Sequence, residues 1–400
     1  MNLFLFIACL VQVYDVTYGV SVMTFNADLS PTTCRIDSQS KVHPGTCEFE
    51  SRRDRLIEKL NKDSFFSDAI CLQGIWYEKD AVEIIDKLQK SGQYEYSYSF
   101  LHDQQQGDID TKAKYPPPCH NDTENIRLLQ FCNDISCYSD PRRYRLFQCI
   151  EDECKMDRLM EKMSESCLGC LYHGTVNDNF DECTMSQYAF NPTGLLFLSK
   201  RPMSNIRRGF YHDVEQMKER IHGQDYTYYK SRELIQRGYL DVNVNGIGRV
   251  VCTQLTEKLG DLYIDLHPDF TSYEEKNKFE MKQLAIMLKD EKKAIVLADM
   301  SSTPVITKLG GKLGFQFQDH FNTYFGGWED PISSSYFHHD PHCTVCCGND
   351  FVRKEGICGK SGGVGYMMDH VLLKGYHVKD RNIPAPDVSK REMEQYLTPS

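Results

Sequence analysis

The chain has 400 residues, room for one large domain or two smaller ones, and 40% of them are hydrophobic, enough for a real core. Its 57 acidic residues outnumber 46 Lys and Arg, for a net charge of −11. An acidic surface with scattered cations argues against a sequence-independent grip on nucleic acid, which needs a basic face and here has room only for a local basic groove.

Leu3 to Val13 is almost wholly apolar and reads as the core of an export signal, with cleavage near Gly19. The segment is too short to span a bilayer, and its start lacks the usual Lys or Arg. A buried first strand is the alternative reading. No other apolar run is long enough for a membrane helix. Of the 17 Cys, Cys9 lies in the signal. The even remainder, in an exported chain, implies a set of disulfides formed in an oxidising compartment. Asn121-Asp122-Thr123 is the only glycosylation sequon, which makes Asn121 the candidate glycan carrier.

Val20 to Asn26 alternates like a strand and ends on a polar residue. Cys34 and Cys47 then bracket a short loop. Arg52 to Lys62 has helical spacing through Leu56, Ile57 and Leu60, and Ser67 to Gly74 is a buried strand. Ala81 to Ser91 predicts a second helix and Tyr94 to Leu101 an aromatic-rich strand. Asp103 to Tyr188 follows, sparse in apolar residues, with Pro116-Pro117-Pro118 and Cys119, Cys132, Cys137, Cys149, Cys154, Cys167, Cys170 and Cys183. So small a unit cannot bury enough surface without staples, so it reads as a disulfide-held insertion. Cys167-Leu168-Gly169-Cys170 has the spacing of a zinc knuckle or redox pair, with plain disulfides the favoured reading. Arg142-Arg143-Tyr144-Arg145 is a small basic patch, read as a solvated face.

Thr193 to Pro202 reads as a strand. Gly238 to Val244 and Gly248 to Leu255 are two more, joined through Asn245-Gly246. Tyr273 to Lys292 predicts a helix with Phe279, Leu284, Ile286, Met287 and Leu288 on or near one face. Ala294 to Ala298 is an apolar run that delivers Asp299 to a strand end. Cys343, Cys346, Cys347 and Cys358 beside His338, His339 and His342 have zinc-site composition, with two disulfides the favoured reading. Gly365 to Leu373 is a last apolar strand containing Asp369-His370.

Taken in order, these strand ends resemble the metal-dependent endonuclease/exonuclease/phosphatase superfamily, which includes deoxyribonuclease I and neutral sphingomyelinases. Asn26 matches the first strand's terminal Asn. The Leu72-Gln73-Gly74 segment matches Leu-Gln-Glu, Thr193 to Pro202 the Ser-Gly-(apolar run)-Ser-Arg-x-Pro strand, Thr253-Gln254-Leu255 the Thr-His-Leu motif, and Ala298-Asp299-Met300-Ser301 the Gly-Asp-x-Asn motif. The resemblance covers roughly Val20 to Leu101 and Thr193 to Leu373. It implies a four-layer α/β/β/α sandwich of two mixed sheets, interrupted by the cysteine-rich insertion. The divisions expected are 1–19 signal, 20–102 and 191–375 the two parts of the core, 103–190 the insertion, and 376–400 a tail.

The family reaction is phosphoester hydrolysis, in which a divalent metal stabilises phosphate charge and an Asp activates water. Asn26 and Asp299 would hold the metal, Mg2+ or Ca2+. This chain departs from the pattern at Gly74 for the metal-binding Glu, Gln254 for the His, and Ser301 for the Asn. Glu78 lies four residues beyond Gly74, from a different backbone start. The apolar run around Asp369-His370 matches the penultimate Ile-Asp-Tyr-Ile strand better than the closing Ser-Asp-His, and the tail has no such triplet. The expectation is therefore an exported protein of impaired catalysis, a scaffold for binding an extracellular protein or anionic lipid. The alternative is an active phosphodiesterase, nuclease or sphingomyelinase-like, with a site rebuilt around Asp299, Asp369 and His370.

Overall fold

Alternation along the strands decides how the layers stack. β2 (Tyr18–Leu29) and β3 (Ala69–Ile75) run parallel, paired from Val22↔Ala69 to Asn26↔Gln73. On β3 every residue is buried, as expected of a strand covered on both faces. Val20, Val22, Ala69 and Cys71 point one way into a core cluster; Met23, Phe25, Ile70 and Leu72 point the other way into a second cluster. The computed structural model of the chain describes residues 9–15, 18–29, 49–62, 67–102, 117–120, 122–132, 163, 167, 170, 183–184, 190–212, 215–221, 224–230, 236–256, 270–302, 318–331, 345–346, 365–366 and 368–382.

The first sheet is completed by β1 (Cys9–Asp15), β4 (Tyr96–Ser99), β5 (Leu196–Ser199) and β15 (His377–Asn382), in the order β15-β1-β2-β3-β5-β4. The second contains β6 (Met203–Phe210), β9 (Gly238–Val244), β10 (Gly248–Gln254), β11 (Ala294–Asp299) and β14 (Asp369–Lys374), in the order β14-β11-β10-β9-β6. Both sheets are mixed: β2–β3 and β10–β11 are parallel and the other pairs antiparallel. β9 and β10 meet at Asn245-Gly246, where Gly246 has φ +73°, a conformation glycine adopts without a Cβ penalty. The ribbon of β7 (Glu215–Ile221) and β8 (Gln224–Lys230), and the short pair β12 (Val345–Cys346) and β13 (Gly365–Tyr366), stand apart from both.

Helices cover the outer faces. α1 (Phe49–Leu60) and α2 (Glu78–Lys90) lay Leu56, Ile57, Leu60, Ala81, Ile84, Ile85 and Leu88 against the first sheet. Arg53 ties the two helices, its guanidinium 3.0 Å from Asp80 and 2.9 Å from Glu83. α4 (Tyr273–Met287) and α5 (Gln318–Phe325) cover the second sheet through Met281, Leu284, Phe321 and Phe325. The four layers are those implied by the resemblance. α3 (Thr123–Cys132) belongs to the insertion.

Three disulfides join described residues. Cys119–Cys167 and Cys170–Cys183 stay inside the insertion, and Cys132 is also disulfide-bonded. The Cys167-x-x-Cys170 pair is therefore not joined to itself: each sulfur bonds elsewhere, and the zinc-knuckle reading falls. The third bridge, Cys71–Cys252, crosses from β3 to β10 over 181 residues and lies wholly inside the inter-sheet core. Nothing local in the sequence signals it.

Some sequence expectations need correcting. α4 stops at Met287 rather than Lys292, and Ile286, expected on its inner face, is 56% exposed. The helix instead buries Lys276, Asn277 and Glu280, because the loops beyond β10 and β11 present polar groups to it. Cys9–Asp15, inside the segment read as a signal, forms a strand, which is the alternative reading of that segment. The first residues of the expected tail form β15. Asn121, Cys34, Cys47, the basic patch at 142–145, and His338, His339, His342, Cys343, Cys347 and Cys358 lie outside the described residues.

Candidate functional site

Each central strand carries an inward series that begins apolar and ends polar: Val20, Val22, Thr24, Asn26 on β2; Ala69, Cys71, Gln73 on β3; Val250, Cys252, Gln254 on β10; Ile295, Leu297, Asp299 on β11. β14 enters from the other direction with Asp369 ahead of Val371 and Leu373. Strand register puts the last members level. Asn26 is opposite Gln73 in the first sheet; Gln254 is opposite Asp299, and Asp299 opposite Asp369, in the second. The result is a polar layer closing one end of the sandwich, directly above the Cys71–Cys252 bridge.

Asp299 is the acceptor at its centre. Its Oδ2 receives the Asn26 amide at 2.9 Å and the Gln254 amide at 3.3 Å. Its Oδ1 receives the Ser301 backbone N–H at 3.0 Å and the Ser301 hydroxyl at 3.3 Å. Those bonds hold Ser301 at φ +49°, a left-handed conformation that a short polar side chain can support locally. Asp299 is buried, so the donors replace the water its charge would otherwise need.

Of the sequence candidates, Asn26, Gln254, Ser301 and Asp299 come together. Gly74 lies beside them with φ +73°, so the chain there has a backbone that favours glycine, not merely a missing side chain. The residue that β3 does aim into the layer is Gln73, which sequence reasoning passed over. Its amide donates to Thr24 Oγ1 at 2.8 Å and reaches Cys71 Sγ at 2.9 Å and the Thr253 carbonyl at 3.4 Å across the sheets. The period-two pattern through Ala69 and Cys71 was the available signal.

Asp369 joins the layer, but His370 does not, which corrects the grouping of Asp299, Asp369 and His370 as one rebuilt site. Neighbours along a strand face opposite ways. His370 is opposite Ala298 and lies on the helix side against Phe321, at 4.9 Å between ring centres. Its Nδ1 is 2.8 Å from Asp330 Oδ2 and its Nε2 is 2.7 Å from the Ser302 carbonyl. Both ring nitrogens are thus engaged, one by a carboxylate and one by a backbone carbonyl. This histidine clamps the turn after β11 to the segment after α5.

A second buried network holds the layer from behind. Asn277 donates to the Thr256 and Met300 carbonyls at 2.7 and 3.1 Å. Glu280 accepts from the Thr256 N–H and hydroxyl, both at 2.7 Å, and lies 3.2 Å from His212 Nε2. Burial opposes the Glu280 charge, yet the His212 hydrogen bond and the nearby Lys276 hold its pKa below the usual carboxylate value.

The superfamily resemblance implies a divalent cation here. As folded here, donors close the layer around Asp299, while two oxygens of the same layer, Gln73 Oε1 and Gln254 Oε1, are buried without a hydrogen-bond partner. Both Asp299 oxygens already receive donors, Asn26 turns its NH2 rather than its carbonyl to Asp299, and no group of three or more His, Cys, Asp or Glu among the described residues could hold a metal. Glu78, the first residue of α2, belongs to no such group.

No protein-family model and no curated protein matches the chain. Solved structures are similar at low identity. An endonuclease/exonuclease/phosphatase from Beutenbergia cavernae is 11% identical with a TM-score of 0.42, over 92% of this chain and 64% of that one. Sphingomyelinase C from Streptomyces griseocarneus is 11% identical with a TM-score of 0.38, over 88% and 82%. A mutant beta toxin from Staphylococcus aureus with bound magnesium ions is 9% identical with a TM-score of 0.39, over 88% and 83%. The superfamily that the strand-end motifs resemble, endonuclease/exonuclease/phosphatase, is represented among the structures this chain is similar to.

Proposed function

We infer that this is an exported protein that uses the endonuclease/exonuclease/phosphatase sandwich as a scaffold for binding or assembly, with phosphoester hydrolysis lost. The observation that carries the reading is the saturation of Asp299 by donors from Asn26, Gln254 and Ser301. A water-activating Asp must offer a free acceptor. Here uncharged amides and a hydroxyl occupy both oxygens. Gln254 cannot exchange a proton near neutral pH as imidazole does. Disulfides within the insertion and across the core support an oxidising compartment, and no helix among the described residues is long and apolar enough to cross a membrane. Its ligand is an extracellular protein or anionic lipid.

One observation favours a second reading, an active phosphodiesterase: Asp299 and Asp369 are direct cross-strand partners and place two carboxylates on the same face. A screen of phosphodiester and lipid phosphoester substrates with Mg2+, Mn2+ and Ca2+ separates the two. The scaffold reading expects no turnover above background. Turnover abolished by Asp299→Ala overturns it.

A further inference from the structure

Gln73 on β3 and Gln254 on β10 enter the polar layer from opposite sheets, and the side-chain oxygen of each is without a hydrogen-bond partner. The two residues are 0% and 5% exposed. Thr193 adds a third such oxygen, its Oγ1. It lies two residues before Leu195, which faces the inter-sheet core, and so shares the inward parity. Its methyl is 3.1 Å from where a Cβ on Gly238 of β9 would stand, so it too reaches the second sheet.

Turning the amides over does not relieve the two glutamines. Gln254 Nε2 is 3.3 Å from Asp299 Oδ2, and Gln73 Nε2 is 3.4 Å from the Thr253 carbonyl. An ionised carboxylate and a carbonyl only accept, so each amide must present its NH2 there and point its oxygen elsewhere. The Thr253 carbonyl belongs to the peptide that leads into Gln254, which sets the Gln73 amide against that strand end.

The charges of the layer point to what these oxygens take. Asp299 and Asp369 stand directly opposite one another on β11 and β14, and carboxylates so placed repel. The donors to Asp299 are two side-chain amides, a hydroxyl and a backbone N–H, all uncharged. A water molecule supplies hydrogens to the orphaned oxygens and leaves the repulsion in place; a cation answers both. Mg2+ and Ca2+ draw on carboxylate oxygens, and those of Asp299 are engaged. Neutral carbonyl-type oxygens replace the hydration shell of an alkali ion.

We propose that the polar layer binds one alkali cation, Na+ or K+, between β3 and β10, on Gln73 Oε1 and Gln254 Oε1 with Thr193 Oγ1 beside them. Neither the position nor the charge is that of the cation implied by the superfamily resemblance, which belongs at Asn26 and Gly74. The ion joins the first sheet to the second at the level of the layer, and its role is to hold the mouth of the sandwich.

The test is urea unfolding of the full disulfide-bonded chain in Na+, K+ or the bulky organic cation N-methylglucammonium, at constant chloride and ionic strength. Na+ or K+ is expected to raise the folding constant, about tenfold per tenfold of cation once the site fills, and N-methylglucammonium is not. The alkali ion that acts at the lower concentration is the one the site prefers. Gln73→Met and Gln254→Met remove the oxygen at similar volume, and each should abolish the dependence. Crystals soaked in Rb+ or Tl+ give a reading that needs no variant to fold: an anomalous scattering peak in contact with both glutamine oxygens. Equal folding constants in all three salts, with no such peak, mean that water alone meets the oxygens, and overturn the proposal. Stabilisation by Mg2+ or Ca2+ with none by alkali ions also overturns it. Alkali dependence kept in full by both methionine variants, or a peak away from these oxygens, puts the ion elsewhere and overturns it as well.

Discussion

The Asn26 side-chain nitrogen lies 2.9 Å from Asp299 Oδ2, joining the inward end of β2 to the inward end of β11 across 273 residues and two sheets. With the Gln73 contact to the Thr253 carbonyl, it holds the mouth of the sandwich shut above the Cys71–Cys252 bridge. Asp299 thus has a bonding role whatever its chemistry. Asp299→Ala strands the Asn26, Gln254 and Ser301 donors in a buried layer, and each buried group left unsatisfied costs on the order of 1–3 kcal/mol. We expect the variant to be destabilised by about 2–4 kcal/mol in urea unfolding, since the layer relaxes in part. A carboxylate kept for catalysis at the expense of stability gives the opposite sign, a stabilised variant.

The cross-sheet disulfide should matter more than those of the insertion for the core. Replacing both Cys71 and Cys252 by Ala removes a constraint over 181 residues and the packing of two fully buried sulfurs. Loss of a native disulfide typically costs about 2–5 kcal/mol. Thermal unfolding of the double variant should shift downward by that measure, and exchange of amides in β3 and β10 should rise. An unchanged melting curve would mean that the two sheets need no staple.

Acid should weaken the turn that leads into the insertion. His102 Nδ1 accepts the Ser99 N–H at 2.9 Å, and the Arg208 guanidinium grips the Phe100 and His102 carbonyls at 2.6 and 2.7 Å. Burial, then the Arg208 charge, lowers the His102 pKa to about 3. The unfolded chain takes that proton near pH 6.5 and the folded chain does not. The contribution to stability is therefore full above about pH 6.5 and is lost as pH falls from there toward about 3. Stability measured between pH 7 and pH 4 should fall by a few kcal/mol from this residue, on the order of 1.4 kcal/mol per pH unit. His102→Asn keeps an acceptor for Ser99 without a titrating ring, and should flatten that slope. An identical slope in the variant would assign the acid sensitivity elsewhere.

How much of this was readable from sequence depends on the range of the interaction. The buried runs at Ala294 to Asp299 and Ser67 to Gly74 declare strands, because burial on both faces leaves a continuous apolar signature. Their polar ends correctly marked the layer's level. What failed needed knowledge of which way a side chain points or what lies opposite. Asp369-His370 looks like one unit in the chain, yet consecutive strand residues part to opposite faces. Gly74 drew notice as a missing ligand while Gln73, one residue earlier and on the inward parity, was the residue that enters the layer. α4 buries Lys276, Asn277 and Glu280 because Thr256 and Met300 lie against it, partners 20 or more residues away that no helical periodicity encodes.

Gly74→Glu tests whether the missing ligand can be restored by one substitution. The family pattern asks for a carboxylate at this position, but the backbone here has φ +73°, and an L side chain in that conformation costs about 1–2 kcal/mol. The variant has to absorb that strain or unwind the end of β3, where Asn26 pairs with Gln73. If it absorbs the strain, a carboxylate is added near Asp299, whose own oxygens remain engaged by Asn26, Gln254 and Ser301. Gln254 still cannot exchange a proton, and His370 still faces the helices. Residues that act as a unit are strongly non-additive, so one restored member yields little while its partners are missing. We therefore expect Gly74→Glu to be less stable than the natural chain by about 1–2 kcal/mol and no better as a phosphodiesterase. Urea unfolding reads the first, and a chromogenic phosphodiester assay with Mg2+ or Mn2+ reads the second. Calorimetry shows separately whether metal affinity rises without turnover. Rapid metal-dependent hydrolysis by this single variant would mean that Gln254, Ser301 and the displaced His370 are no obstacle to the reaction, and that the layer is a catalytic site lacking one ligand.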